Sequence, residues 1–452
     1  RRQRQMCIRD RSRHFAGHKT VWPVAPATSA RKGLLSMSLR TFAHSKPEKA
    51  ARLGVWLLGA GETIIWACIF YIFAALLLTW EQDLGWAKTD LTLGFSLAIL
   101  AAAVASPLAG RVIDAGHGRW ALGGGAFFGG LGLVALSQVD NVYAYMTAWV
   151  VIGFAQGFAL YEPCFSVVTR AKGADARPAI THITLMAGFA SPLSFMCAAA
   201  LLGELDWQAT TLVFAAASIL LATPALYIGT VILEAAAGDK VHSAPKDENR
   251  AALHAALRKP AFWLIALAFP LMAVNHGILL NHIFPLLAER NVPETMAILV
   301  ASTIGPSQVA GRMILVAIQH RVSTLTVSVF AFSGVVVSSL LLIAAGVAPW
   351  LSFAFAVIQG ASYGLTSIIK PAITADFLGR TGFGTINGWL ALPYLCGFAF
   401  APHIGSLVWE AGGYDLVIPF AVAVAVAGVI CMLALAALGR NRNDGGAVTP
   451  KG

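Results

Sequence analysis

The residues of this chain that could do chemistry are the few polar ones set inside long apolar stretches. Two carboxylates fall there, Glu62 and Glu162. A charged group is costly in apolar surroundings unless it is paired or exchanges a proton. Both are therefore candidates for carrying a proton. Glu62 lies about eight residues into the first apolar stretch, and Glu162 about six residues before the end of the fourth. At about 1.5 Å per residue they sit at similar depth, so two carboxylates would share one low-dielectric region. Two histidines, His276 and His282, add further proton-accepting groups. Six residues turn a helix by about 600°, so the two histidines point in different directions and do not form a metal pair.

Around these groups stand aromatic and amide side chains suited to a small-molecule site: Trp66, Phe70, Tyr71, Gln156, Tyr161, Asn275, Gln359, Tyr363, Trp389 and Tyr394. Aromatic walls with a few polar anchors are how such sites are commonly built. Packing between helices is the competing role for each of them. Lys370 precedes Pro371 near the end of an apolar stretch. It could hold an anion or extend toward lipid headgroups, and headgroup contact is favoured. Arg312 has the same two options. No Lys or Arg is expected at mid-membrane, so a carboxylate substrate would need Lys370, His276, His282 or a helix N-terminus as its counter-charge.

The composition fixes the setting of these residues. The chain has 452 residues, 57% hydrophobic and 12% charged, with mean hydropathy +0.71. Soluble domains average about 45–50% apolar and about 25% charged residues. A soluble globular enzyme and a disordered chain are both excluded. Twelve apolar blocks occur, near 54–80, 91–109, 121–138, 143–168, 179–203, 209–233, 261–287, 295–317, 323–346, 349–372, 386–409 and 415–438. Each has about the length a helix needs to cross a hydrocarbon core of roughly 30 Å. The expected organisation is a cytoplasmic segment 1–53, a six-helix unit 54–233, a polar linker 234–259, a second six-helix unit 260–438 and a cytoplasmic tail 439–452. An amphipathic helix is expected in the linker.

The charges agree with twelve spans. With the N-terminus in the cytoplasm, the outer loops hold two basic residues, Lys88 and Arg290. They hold ten acids: Glu81, Asp83, Asp90, Asp140, Glu204, Asp206, Glu289, Glu294, Glu410 and Asp415. The remaining Lys and Arg fall on the other side, as the positive-inside rule requires. The net charge of +10 is not evidence for nucleic-acid binding. Residues 1–36 hold nine Lys/Arg against one acid, Asp10, and without them the charge is +2. The run Gln5–Ser12 resembles translated sequencing-adapter sequence, and Met37 is the expected native start. A genuine basic leader is the alternative. The six cysteines show no spacing of a disulfide framework or a zinc site.

An internal repeat supports two equivalent halves. Ala109-Gly110-Arg111 and Ala310-Gly311-Arg312 end spans 2 and 8, and Gln156-Gly157 and Gln359-Gly360 lie in spans 4 and 10. Repeated halves are a common build of secondary transporters, with the substrate at their interface.

The loop after span 2 reads Gly110-Arg111-Val112-Ile113-Asp114-Ala115-Gly116-His117-Gly118-Arg119. This resembles the motif between helices 2 and 3 of the major facilitator superfamily. The stretches Gly59–Thr63, Asp83–Trp86, Tyr161-Glu162-Pro163, His282–Leu287 and Gly305–Arg312 are similar to the bacterial branch related to monocarboxylate and organic-anion carriers. Some signatures differ. Gly188–Pro192 keeps only part of the Gly-Pro-rich pattern of drug antiporters, and Gly153 stands where many proton-coupled members have Arg. The resemblance implies an all-α membrane fold of twelve transmembrane helices in two pseudo-symmetric six-helix bundles. It also implies that helices 1, 4, 7 and 10 line a central cavity. By the same resemblance Gly110, Arg111, Asp114, Gly118 and Arg119 form a cytoplasmic gate. In it Asp114 would meet the start of helix 11 near Thr385–Gly388, with Arg111 and Arg119 completing a latch. Glu162 would either couple transport or pair with Arg111 or Arg119.

The expected function is secondary active transport of a small organic solute by alternating access, with proton symport of a carboxylate favoured. Glu62, Glu162, His276 and His282 are the proton-coupling candidates. Export by proton antiport and a non-translocating ligand sensor are the alternatives. No nucleotide loop, metalloprotease motif or catalytic triad spacing points to an enzyme. No cofactor or metal is expected. The expected partners are a small-molecule substrate, protons and the lipid bilayer, with no nucleic acid. The chain is expected to be a monomer in a bacterial inner membrane, with both termini cytoplasmic.

Overall fold

The computed structural model describes residues 45–238 and 246–444. The leader 1–36, the expected start at Met37 and the chain after residue 444 lie outside the described residues. Every regular element among the described residues is helical. Nine long apolar helical stretches are found there. Six have lengths suited to one crossing. The other three, Thr89–Leu136, Val142–Leu202 and Phe383–Gly439, hold 48, 61 and 57 residues. A straight helix of 48 residues would be about 72 Å long, more than twice the hydrocarbon core. Each of the three is two crossings joined by a tight turn. The turns hold Gly116 at φ 86°, Gly173 at φ 57° and Gly413 at φ 66°. A left-handed backbone of this kind is open to glycine and costly for other residues. Six single and three double passages give the twelve spans that the hydropathy predicts.

Helix 1 runs Pro47–Leu84, helix 2 Lys88–Val112 and helix 3 Gly118–Leu136. Helix 4 has two pieces, Val142–Ala159 and Tyr161–Lys172, and helix 5 also has two, Ala176–Ala187 and Ala190–Leu202. Helix 6 is Trp207–Ala237. A linker helix, Lys246–Leu257, precedes helix 7, Pro260–Asn281, which is continued by Ile283–Glu289. Helix 8 is Glu294–Ile318, helix 9 Thr324–Ala345, and helix 10 is Leu351–Gly364 plus Thr366–Leu378. Helices 11 and 12 are 383–411 and 414–444. Helix 1 starts seven residues before the expected boundary. Pro47 sits at its first turn with Glu48 beside it, and both favour a helix start. Helix 6 extends to Ala237 and helix 12 to residue 444, beyond the apolar blocks that define the spans.

The repeat read in the sequence has a packing basis. The Gln156 amide donates to the Ile69 carbonyl of helix 1 at 2.7 Å. Its counterpart Gln359 donates to the Asn275 side chain of helix 7 at 3.1 Å. A Cβ on Gly157 would stand 2.7 Å from the Ala102 carbonyl oxygen, and one on Gly360 2.4 Å from that of Ile304. Glycine thus lets helix 4 lie directly on helix 2, and helix 10 on helix 8. Small residues at such crossings permit close backbone approach in membranes.

The two halves meet along a seam of the same kind. A Cβ on Gly110 would stand 2.0 Å from the Gly384 carbonyl oxygen, and one on Gly388 2.4 Å from that of Ser106. Helices 2 and 11 therefore touch backbone to backbone at the end of the bundle that carries the loop 110–119. Gly110→Ala should force this seam apart. The expected result is loss of solute flux at unchanged membrane abundance. Gly124→Ala, at an open position, should leave flux intact in the same assay.

Candidate functional site

The centre of the molecule is formed where regular helices break. Helix 1 takes a π-helical turn at Ala67–Tyr71. Its displaced carbonyls find partners: Ser194 donates to Ala67 O at 2.9 Å, and Gln156 to Ile69 O at 2.7 Å. Helix 4 is interrupted at Leu160, whose backbone is extended, and restarts at Tyr161. Glu162 thus lies in the first turn of a new helix, where the helix dipole favours a negative charge. Pro163 suits that first turn because its missing N–H has no helical partner there in any case. Helices 7 and 10 break at His282 and Leu365. Interrupted helices at the repeat interface are a recurring feature of transporter binding sites.

Among the described residues an ion pair joins the halves. The Lys370 ammonium of helix 10 contacts the Glu162 carboxylate of helix 4. Lys370 is 4% exposed. The second Glu162 oxygen accepts from the Asn387 amide at 3.0 Å, and Asn387 also reaches the Glu162 carbonyl at 3.2 Å. This corrects two expectations. Lys370 is turned inward rather than toward headgroups, because a carboxylate awaits it there. Glu162 pairs with Lys370, and not with Arg111 or Arg119.

A chain of polar contacts continues into the second half. The Lys370 ammonium lies 4.3 Å from the centre of the Tyr394 ring. The Tyr394 and Tyr363 hydroxyls are 3.0 Å apart. The Tyr363 ring stacks on His276 at 3.5 Å between centroids. His276 Nδ1 is 3.3 Å from Gln359 Nε2, and Ser338 donates to Gln359 Oε1 at 2.5 Å. Asn275 is fully buried behind this chain and donates to Ser339 and to the Ala421 carbonyl. It holds Gln359 in place from behind.

The first half presents an aromatic wall. The Trp66 ring lies 4.7 Å from Tyr161, 4.8 Å from Phe70 and 6.1 Å from Tyr71. Trp66 Nε1 donates to one Glu62 oxygen at 3.1 Å. Glu62 is fully buried within its own half and lies beside Cys164. The two carboxylates therefore have separate partners. They sit on opposite sides of helix 4, since Glu162 and Cys164 are about 200° apart on it.

Arg312 is the cation that the sequence did not place at the centre. It is 9% exposed. Its hydrogen bonds go to two backbone carbonyls, Gly364 O at 2.9 Å and Thr184 O at 3.0 Å across the halves. It lies within electrostatic range of Tyr71, Tyr161, Tyr363 and Tyr394. Its charge has no carboxylate partner among the described residues.

Other expected site residues lie elsewhere. His282 is held by the Tyr414 hydroxyl at 3.0 Å and the Pro402 carbonyl at 3.1 Å. Both ring nitrogens are occupied there, away from the central chain. Trp389 is exposed. It lies about 140° around helix 11 from Tyr394, so it faces away from the side that meets Lys370. At the gate, the Asp114 carboxylate accepts from the Gly384 and Thr385 amides at 2.9 and 2.6 Å, as the resemblance implies. The arginines of the motif do not complete this latch. Arg111 is exposed, and Arg119 lies over the neighbouring Trp120 ring. Arg170 of helix 4 takes their place within electrostatic range of Asp114. It pairs with Glu234 at 3.2 Å, beside Gly118. Asn387, Arg170 and Glu234 were not expected from the sequence. Asn387 lies within a stretch noted only for helix 11, and the two charges lie at span ends where solvent exposure is the usual reading.

The model of the Major Facilitator Superfamily matches residues 55–352, about two-thirds of the chain. Among solved structures, a similar one is the crystal structure of the Major Facilitator Superfamily transporter FucP in the outward conformation. The TM-score is 0.61 at 14% identity, covering 85% of this chain and 98% of that one. No curated protein sequence matches the chain.

Removing one member of a largely buried pair strands the other, at a cost on the order of 3 kcal/mol. Glu162→Gln and Lys370→Met should each lower the melting temperature of the purified protein. The double variant should lose less than the sum of the two. Additive losses would show that the two charges do not depend on each other.

Proposed function

The chain belongs to the Major Facilitator Superfamily, and from that premise we propose that it moves a small organic carboxylate together with a proton by alternating access. The family implies secondary transport of a small solute across a lipid membrane, and the fold agrees with it. The observation that carries the finer reading is the Glu162–Lys370 pair joining the halves at their shared centre.

The pair supports coupling by a simple exchange of partners. A proton arriving at Glu162 cancels its charge and frees Lys370. An incoming carboxylate then replaces Glu162 as the counter-charge of Lys370, and the positive charge of Arg312 adds to the attraction for it. Without the proton, Glu162 and the substrate compete for the same ammonium. Proton and acid therefore bind cooperatively and cross together. The tyrosines near Arg312 offer hydroxyls to the carboxylate, and the wall of Trp66, Phe70 and Tyr161 offers an apolar face to the rest of the molecule. Tyr394, Tyr363 and His276 connect Lys370 to the interior of the second half.

Helix 11 links this exchange to the gate. Its first turn donates amides to Asp114 through Gly384 and Thr385, and its Asn387 grips Glu162 one turn later. A change at Glu162 thus acts on the turn next to the one that the gate holds. The bias of the basic loops supports a cytoplasmic position for the sealed end, and with it a bacterial inner-membrane protein whose termini are both cytoplasmic. The geometry described then corresponds to a carrier closed to the inside.

De-energised cells in weak buffer provide the test. Adding the transported acid should raise external pH as protons enter with it. Glu162→Gln should abolish that rise, and Arg312→Gln should raise KM for the acid at least tenfold. External acidification would instead establish antiport. Acid uptake with no proton movement would contradict the coupling.

A further inference from the structure

A second cavity, of about 220 Å³, lies between the halves at the sealed end. It is separate from the central site. The first half contributes Thr169, Gly173 and Arg177, and the second contributes Thr324, Asp376 and Arg380. Water takes about 30 Å³ in the liquid, so the space accommodates a small polyatomic ion with part of its hydration.

The polar groups around it are incompletely satisfied. Arg177 Nη1 reaches across the halves to the Val322 carbonyl at 3.4 Å and the Thr324 hydroxyl at 3.3 Å, both long. Its Nε and Nη2 are shielded from solvent and have no acceptor. A buried guanidinium donor without an acceptor is costly. Asp376 is the carboxylate near enough to act on Arg177, but its ion-pair partner is Arg380, at 3.9 Å. The lining thus carries two guanidiniums against one carboxylate, and one positive charge is left over.

We infer that this cavity binds a compact oxyanion, of the phosphate type, that bridges Arg177 on one half to the second half. The cavity is made by both halves together, so it exists only while this end is sealed. An anion bound in it favours the sealed state and slows the carrier. Two sources have this chemistry, free phosphate and the phosphodiester of an anionic lipid headgroup. The approach of the ion from the cytoplasm rests on the orientation proposed above, whereas binding itself does not depend on transport.

The test uses the full chain in phosphatidylcholine nanodiscs at constant ionic strength. Inorganic phosphate, or phosphatidylglycerol included in the disc, should raise the melting temperature by a few degrees. Arg177→Gln should remove the rise. Asp376→Asn, which removes the repelling carboxylate, should shift the phosphate midpoint to lower concentration. In proteoliposomes, phosphate on the cytoplasmic side alone should at least halve the initial rate of solute flux. A rise with phosphatidylglycerol but not with phosphate supports the site and assigns it to a lipid headgroup. No rise with either would overturn the proposal. So would a rise of equal size in Arg177→Gln, or an unchanged midpoint in Asp376→Asn. Stabilisation without carboxylate transport would leave the site standing and contradict only the function proposed above.

Discussion

A carboxylate on one half and an ammonium on the other meet inside a membrane protein, and the rest of the structure is arranged around that contact. Neither charge is easily stable there alone. The attraction between Glu162 and Lys370 therefore holds the halves together and at the same time makes their union conditional on charge. Anything that neutralises either partner weakens the link. In the proposed cycle a proton does so for Glu162, and the substrate anion does so for Lys370. Breaking a largely buried pair on one side only is costly, and this cost makes simultaneous arrival of both favourable.

The backbone provides the geometry for this pair. A continuous helix 4 would carry Tyr161 and Glu162 as ordinary mid-helix residues. The break at Leu160 makes them the start of a new helix, where a carboxylate is stabilised by backbone dipoles. Across the interface, Pro371 follows Lys370 on helix 10, and the break at Leu365 separates this piece from the one carrying Tyr363. The seam of helices 2 and 11 allows no side chain at Gly110 or Gly388. The halves thus have one well-defined sealed arrangement rather than a range of loose ones. Asp114 and Glu162 hold neighbouring turns at the start of helix 11, the first through Gly384 and Thr385 and the second through Asn387, so site and gate are mechanically joined.

Much of this was legible in the sequence. Twelve apolar blocks and the bias of basic loops gave the twelve spans, because hydropathy and charge act locally along the chain. The Gln-Gly repeat marked the equivalent helix crossings for the same reason. Asp114 could be placed against helix 11 through its motif. The partner of Glu162 could not. Lys370 is 208 positions away, and a lysine near a span end reaches outward or inward according to what the other half offers it. Arg312 was ambiguous on the same grounds. The resemblance implies Arg111 and Arg119 in the latch, yet it is Arg170 of helix 4 that acts electrostatically on Asp114. Trp389 and Tyr394 looked alike as aromatic residues of one helix. Only the rotation of helix 11 separates the exposed ring from the one beside Lys370.

The central claim is that substrate and proton exchange partners at the Glu162–Lys370 pair. The most direct measurement is calorimetric titration of the purified protein with its acid substrate in buffers of different ionisation enthalpy. Binding should take up a proton from the buffer, and this uptake should vanish in Glu162→Gln while the acid still binds. Binding without proton uptake in the unmodified protein, or uptake of the same size in Glu162→Gln, would contradict it.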